Sequence, residues 1–148
     1  MGKRDIRFEV RGKAWVQKNN LLIRKRKAKG KLIPFIDHSD KLKSIRDQIA
    51  IEMYTQYRKQ GFTRPIDYLI EVEFTFYCKR QWEPDLDNLP QIWLDAAQGV
   101  KVTGGMKIAT ILTDDKLVRK ETSEKIVEGD PRYDGEPRTE ITIREYIL

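Results

Sequence analysis

The strongest pattern in the chain is an alternation between positions 68 and 79, in which apolar residues alternate with a set that is polar except for Leu69 and Tyr77. Because successive side chains of a strand point to opposite faces, this alternation predicts a strand with one buried and one solvated face. Shorter patterns predict further strands at 5–10, 107–112, 117–127 and 138–146. The apolar positions of the long strand are Tyr68, Ile70, Val72, Phe74, Phe76 and Cys78.

Two segments carry the three- and four-residue spacing of apolar residues that is typical of amphipathic helices. The first begins near Asp40 and runs to about Gln60, and the second is opened by Asp87 as N-cap and ends at Gly99. Four or more strands and two helices predict an α+β fold, with a mixed sheet on which the two main helices pack. We expect a single domain over residues 1–148, with a basic hairpin or loop at 11–36.

Positive charge is concentrated in one segment of the chain. The sequence holds 29 Lys and Arg against 23 Asp and Glu, and residues 11–31 alone carry nine cations with no acidic residue. A run of one sign favours a polyanionic partner, although a merely solvated loop is the alternative. Apolar residues on both sides of Ala28-Lys29-Gly30 predict a hairpin with a cationic tip. The expected DNA contacts are Lys18, Arg24, Lys25, Arg26, Lys27, Lys29 and Lys31, with Lys79 and Arg80 after the long strand.

The residue counts exclude several classes of site and location. One cysteine, Cys78, and one histidine, His38, exclude an intrachain disulfide and zinc sites of the Cys₄ or Cys₂His₂ type. No apolar run reaches the roughly 20 residues that a membrane-spanning helix needs, and the first residues show no signal-peptide pattern. We therefore expect a cytoplasmic protein with no membrane partner.

The candidate chemistry lies in the segment Pro84-Asp85-Leu86-Asp87-Asn88, between the long strand and the second helix. Residues i and i+2 of an extended segment project to the same side, so Asp85 and Asp87 can face one point. Two carboxylates on one side form a hard oxygen site of the kind that binds Mg²⁺. The alternative is structural, with Asp87 capping the helix and Asp85 in an Asx turn.

Two other uses of these aspartates fail on the residues around them. A calcium-binding EF-hand loop that starts at Asp85 needs Gly and Glu where Pro90 and Ala96 stand. An aspartyl phosphotransfer motif of the form D-x-D-x-[TV] needs Thr or Val where Leu89 stands.

A second acidic pair, Asp114-Asp115, follows the apolar run that ends at Leu112. Because the ends of adjacent strands can lie side by side, this pair can add a third carboxylate to the first two. The alternative is a turn at Thr-Asp-Asp-Lys.

These motifs and their order resemble the RusA-type Holliday junction resolvases. The resemblance rests on Pro84-Asp85-Leu86-Asp87-Asn88-Leu89 opening a helix, on Thr113-Asp114-Asp115-Lys116, and on a closing strand at 140–143, and it covers mostly residues 40–146. It implies a RusA-like fold, a homodimer and an Mg²⁺-dependent endodeoxyribonuclease, with Mn²⁺ able to substitute. It also implies resolution of four-way junctions by paired symmetric nicks in recombination and repair.

The resemblance implies that Asp85, Asp87 and Asp115 bind the metal. The family also carries a catalytic lysine three positions after the Asn, and this chain has Gln91 there. Lys116, which we include among the catalytic residues, and Lys120 are the nearest cations in sequence to the acidic pair. Two alternatives stay open: a non-cleaving, structure-specific DNA-binding protein, and a PD-(D/E)xK-type nuclease, against which the helix between the two acidic segments argues.

Overall fold

The long alternating strand lies inside a four-stranded sheet that carries the core of the protein. The computed structural model describes residues 2–12, 21–28, 31–38, 40–79, 86 and 89–148, and for residues 21–28, 31–38, 40 and 41 it describes the backbone alone. The elements in chain order are β1 (Ile6–Arg11), β2 (Leu21–Ala28), β3 (Lys31–His38), α1 (Asp40–Lys59), β4 (Ile70–Cys78), α2 (Gln91–Ala97), β5 (Val100–Lys101), β6 (Lys107–Ile108), a 3₁₀ helix (Asp115–Leu117), β7 (Val118–Val127) and β8 (Arg138–Glu145).

The sheet is mixed and has the strand order β1-β8-β4-β7. β8 pairs antiparallel with both β1 and β4, whereas β4 and β7 are parallel. Two separate two-stranded sheets are formed by β2 with β3 and by β5 with β6. The mixed sheet with two helices confirms the predicted α+β class. Within the part of the chain that the structure describes, no helix is long and apolar enough to span a bilayer.

One face of the sheet is buried because apolar residues of three strands stand in register. Phe8, Ile141 and Phe74 are aligned across β1, β8 and β4, and all three side chains are buried. The rings of Phe74 and Phe76 stack along β4 with centroids 5.6 Å apart. Burying each such side chain contributes roughly 1.5–3 kcal/mol, so this face is the main source of stability. The predicted alternation of the long strand is confirmed, with a start at Ile70 rather than Tyr68.

Helix α1 is attached to the outer side of β1 by two glutamines. The amide of Gln56 donates to Glu9 O at 2.8 Å and accepts from Glu9 N at 3.0 Å. Gln60 makes the same two hydrogen bonds to the backbone of Arg7, at 2.7 and 3.0 Å. The helix ends as predicted, with Gly61 in the left-handed region at φ 94°.

Helix α2 begins later than the sequence predicts. Pro90 is the N-cap, the described side chains make no capping hydrogen bond there, and the first helical residue is Gln91. The prediction that Asp87 caps this helix is therefore wrong. The physical reason is that proline fixes φ at a helical value and has no N–H to satisfy, so it can start a helix without a capping side chain.

A small hairpin, β5–β6, follows α2 where a single strand was expected. Only Lys107 and Ile108 of the predicted 107–112 strand are in a strand, and they pair with β5. The residues up to Leu112 are held instead by the end of α2, because Ile111 N and Leu112 N both donate to Ala97 O, at 2.8 and 2.9 Å. Competition from these tertiary hydrogen bonds ends the strand after Ile108.

Gly99 fixes the hairpin against the end of α2. Its φ is +98°, and a Cβ atom added there would lie 2.7 Å from Ile108 O and 2.5 Å from Thr110 Oγ1. Both the backbone conformation and the close approach therefore require glycine at this position.

Replacing Gly99 with Ala is expected to destabilise the protein by about 3 kcal/mol, from a left-handed backbone and a steric clash together. The matched control is Gly104→Ala, since Gly104 has a similar φ of +91° but no atom within 4 Å of an added Cβ. This control should cost about 1–2 kcal/mol. Urea unfolding followed by circular dichroism measures both values, and equal losses would contradict the packing role of Gly99.

Candidate active site

The D-x-D segment is attached to the core through its leucines. Leu89 is fully buried, Leu86 packs partly buried against the core, and Leu89 N donates to Leu86 O at 3.2 Å. Asp85, Asp87 and Asn88 lie outside the described residues. The structure thus describes the leucine between the two candidate carboxylates, and the carboxylates themselves stay a prediction.

The acidic pair before β7 divides into two different environments. The side chain of Asp114 caps the 3₁₀ helix by accepting from Lys116 N at 2.9 Å. This backbone hydrogen bond is the main reason that the pKa of Asp114 is lowered, and the charges of Lys116 and Lys107 act in the same direction. Asp115 is the first residue of the 3₁₀ helix and is exposed. The side chains of Asp114 and Asp115 are also hydrogen-bonded to each other, and the exposed Asp115 stays the predicted ligand.

Lys116 and Lys120, the two nearby cations, differ in their surroundings. Lys116 is exposed and directly follows Asp115. Lys120 Nζ lies 3.9 Å from Glu71 Oε2 on the sheet. Gln91, at the position where the resembling family carries lysine, is exposed, and its amide donates to Asp95 Oδ1 at 3.0 Å. Among these residues, Lys116 is the cation best placed beside the exposed carboxylate.

The two acidic segments do not meet through adjacent strand ends. Ile70 at the start of β4 lies beside Val118 at the start of β7, so Asp115 is at that end of the sheet. The D-x-D segment leaves from Cys78, at the other end of a strand about 26 Å long. The described strands thus do not place the acidic pair beside the end of β4, and the approach of Asp115 to Asp85 and Asp87, which lie outside the described residues, stays a prediction.

Helix α2 is the link between the two acidic segments. Its seven residues span only about 10 Å, and the D-x-D segment precedes its first turn. At its other end, Ala97 O binds Ile111 N and Leu112 N, two residues before the acidic pair begins. Among the residues that the structure describes, no three His, Cys, Asp or Glu side chains gather into a possible metal site. Two of the three proposed ligands are not among those residues.

The candidate DNA-binding residues are described only in part. The antiparallel pairing of β2 with β3 confirms the predicted hairpin, with Arg24 to Lys27 in β2 and Lys31 opening β3. The side chain of Lys79, just after β4, is exposed. Lys18, Lys29 and Arg80 lie outside the described residues.

A second group of cations was missed from the sequence. Lys43 and Arg46 of α1 face Lys101 and Lys107 of the β5–β6 hairpin across an open cleft of about 380 Å³, which Asp47 and Asp95 also line. A signal was present in the sequence, because apolar residues and lysines alternate on both sides of Gly104-Gly105, as in a short hairpin.

The chain as a whole matches a known family. Residues 16–144 match the family model described as endodeoxyribonuclease RusA. The chain belongs to the RusA family. The match includes both acidic segments, and it begins well before residue 40, so it also includes the basic hairpin. No curated protein matches the chain.

Membership of the RusA family identifies the protein as an endodeoxyribonuclease of the Holliday junction-resolving type. RusA resolvases generally depend on a divalent metal ion. This favours the RusA interpretation of the acidic segments over the PD-(D/E)xK interpretation.

Asp114→Ala is expected to lower the melting temperature, because it leaves the backbone N–H of Lys116 without the side-chain acceptor that it has in the wild type. Asp114→Asn should restore most of the loss, since asparagine is also a good capping residue. Differential scanning calorimetry of the three proteins measures this. If alanine and asparagine were equally stable here, the capping role of Asp114 would be wrong.

Proposed function

We propose that this protein resolves Holliday junctions as an Mg²⁺-dependent homodimer that makes two symmetric nicks. The observation that carries the proposal is the RusA family match, which spans both acidic segments and the basic hairpin. The proposed metal ligands are Asp85, Asp87 and Asp115.

The residues present fit a magnesium ion by their chemistry. Asp85 and Asp87 are bonded on either side of the core-packed Leu86, and α2 starts without Asp87 as its cap. Asp115 is exposed, while its neighbour Asp114 is engaged by the 3₁₀ helix. Carboxylate oxygens are the ligands that Mg²⁺ prefers, and it usually takes only a few of them from the protein. These features support a site made from three aspartates.

The aspartates and lysines of the chain have separate roles in the proposed reaction. Three carboxylates place about three negative charges where a DNA phosphate must approach, so they would repel the substrate unless neutralised. Asp85, Asp87 and Asp115 would hold an Mg²⁺ ion, which would supply this neutralisation, activation of water and charge stabilisation at the leaving oxygen. Lys116, exposed beside Asp115, adds positive charge for the scissile phosphate. The aspartates thus hold the ion, and Lys116 helps to orient the phosphate.

The basic hairpin supplies sequence-independent affinity for the arms of the junction. The cations of the 11–31 segment, with Lys79 and Arg80, can each neutralise a phosphate and release a counterion. Such contacts position the DNA without reading its bases.

The symmetry of the substrate supports a dimer. A four-way junction has nearly two-fold symmetry and must be cut at two equivalent points, which a C₂ dimer matches. One domain of 148 residues has a radius of gyration of about 15 Å, too small to reach both points.

The purified protein is expected to nick a synthetic four-way junction at two symmetric positions in Mg²⁺ or Mn²⁺ and to leave duplex and single-stranded DNA of the same sequence uncut. Denaturing gels of end-labelled strands map the nicks, and omission of the metal is the control. Junction binding without any nick in Mg²⁺ or Mn²⁺ would refute the proposed cleavage function. Equal cutting of all three DNA forms would refute junction specificity.

Each of Asp85→Asn, Asp87→Asn and Asp115→Asn is expected to abolish cleavage, with a loss of at least about a hundredfold, because each removes a metal ligand. Junction binding in EDTA should stay the same or become tighter, since each change removes negative charge that faces DNA.

The matched control for these three variants is Asp114→Asn, which changes the neighbouring carboxylate and retains a capping side chain. It should cleave at the wild-type rate. If Asp114→Asn were inactive and Asp115→Asn active, the assignment within the pair would be reversed. A triple asparagine variant of the three ligands that still cut the junction would overturn the site as a whole.

A further inference from the structure

Two lysines of the β5–β6 hairpin are placed where they repel each other. Lys101 and Lys107 are direct cross-strand partners, so their side chains leave the same face of the hairpin. Like charges directly opposite each other destabilise a strand pair. In the described part of the chain, neither lysine forms an ion pair with a carboxylate. An anion bound between them would remove this repulsion.

The charges around this lysine pair point to an extended anion. Lys43 and Arg46 line the same cleft, so four cations stand against two carboxylates, Asp47 and Asp95. The lining of the cleft therefore carries a net positive charge, which favours an anion such as a phosphate.

The tip of the hairpin is apolar and exposed. Val102 is 39% and Met106 68% exposed, and Val102 N donates to Met106 O at 2.8 Å across the tip. By the alternation of a strand, these two side chains share the face of Val100 and Ile108, opposite the lysines. Ile108 is itself 48% exposed. The hairpin thus has one cationic face and one apolar face and tip.

The position of the hairpin connects it with the proposed reaction. It lies in the chain between α2, which follows the D-x-D segment, and the acidic pair that ends with Asp115. Gly99 packs directly against Ile108 O, and Thr110 Oγ1 donates to Gln98 O at 3.4 Å, so the foot of the hairpin is fixed to the end of α2. The hairpin is therefore held by the same connection that carries the proposed metal ligands.

We propose that the β5–β6 hairpin recognises the branch point of the junction. Lys101 and Lys107 hold backbone phosphates together with the cleft residues, and Val102 and Met106 pack against bases that are exposed where the arms meet. Apolar side chains act in this way in other DNA complexes, where they insert between base steps and stabilise an unstacked geometry. This inference rests on the proposed function, since it requires a branched DNA substrate.

The test compares two double variants of the full chain, Val102→Ser with Met106→Ser and Lys101→Gln with Lys107→Gln. Fluorescence anisotropy in EDTA measures their binding to a synthetic four-way junction and to a linear duplex of the same sequence. The apolar variant should lose about tenfold in junction affinity and less than twofold in duplex affinity, because only the junction exposes base faces. The lysine variant should bind both forms more weakly, with the slope of log K against log salt smaller by about 1.8.

Matched controls use exposed residues of α1 that lie outside the cleft. Ile51→Ser removes a side chain that is 54% exposed, and Arg58→Gln with Lys59→Gln removes two cations of the last helical turn. Neither should change the ratio of junction to duplex affinity. A 2-aminopurine base at the branch point gives a second readout, and its fluorescence change on binding should be lost only in the apolar variant.

The outcomes separate this inference from the proposed function. If the wild type does not prefer the junction to the duplex, both are wrong. If the wild type prefers the junction and the apolar variant keeps that preference, only the hairpin proposal is wrong. Sedimentation velocity of the apolar variant tests whether the tip contacts protein instead of DNA. If this variant dissociates into monomers but still prefers the junction, the tip contacts a second copy of the chain.

Discussion

The parallel pairing of β4 with β7 is the constraint on which the arrangement of the candidate site depends. Parallel neighbours cannot be joined by a tight turn, so the chain must cross from the end of β4 to the start of β7. Residues 79–117 make this crossing and contain the D-x-D segment, α2, the β5–β6 hairpin and Asp115. The buried face of β4, in register with β8 and β1, fixes both ends of the crossing to the core. The residues proposed for chemistry therefore lie on one covalent connection between two fixed points.

Within this crossing, neighbouring residues of the same type have different roles. Asp114 satisfies a backbone N–H, and Asp115 is exposed one position later. Similarly, Leu89 is buried and Leu86 packs partly buried against the core. Attachment through these leucines would support the proposed metal site, since the geometry of the ligands must be maintained during a metal-dependent reaction.

The sequence predicts the elements whose pattern reflects burial on one side. The alternation in β4 and the helical spacing in α1 both arise because one face of each element is buried. Both elements are present, and their ends differ from the predicted ends by a few residues at most. The predicted start of α2, with Asp87 as the N-cap, was wrong. The sequence offers both a possible capping aspartate and a proline that can begin a helix, and the helix begins after Pro90. The β5–β6 hairpin was not predicted because the alternation around Gly104-Gly105 is short, with two strand residues on each side. The hydrogen bonds that end β6 are made with Ala97, which lies outside this pattern.

Candidate site residues were predictable by type and spacing, whereas their relation in space was not. The carboxylates were selected from short motifs, but the parallel register of β4 and β7 comes from long-range pairing that a single sequence does not encode locally. The same limit explains why Lys43 and Arg46 were not grouped with Lys101 and Lys107. The two pairs are 55 to 64 positions apart in sequence, and only the packing of α1 beside α2 and the hairpin brings them to one cleft.

The hydrogen bonds of Gln56 and Gln60 to the edge strand β1 oppose aggregation through the sheet. A carboxamide carries both a donor and an acceptor, so Gln56 and Gln60 occupy the backbone groups of Glu9 and Arg7 as a neighbouring strand would. A foreign strand cannot add at this edge without first displacing both side chains. The opposite edge, β7, is protected differently, because its exposed Arg119, Lys120 and Glu121 bring charge to any incoming strand. Growth of the sheet into aggregates is thus opposed at both edges, by hydrogen bonds at β1 and by charge at β7.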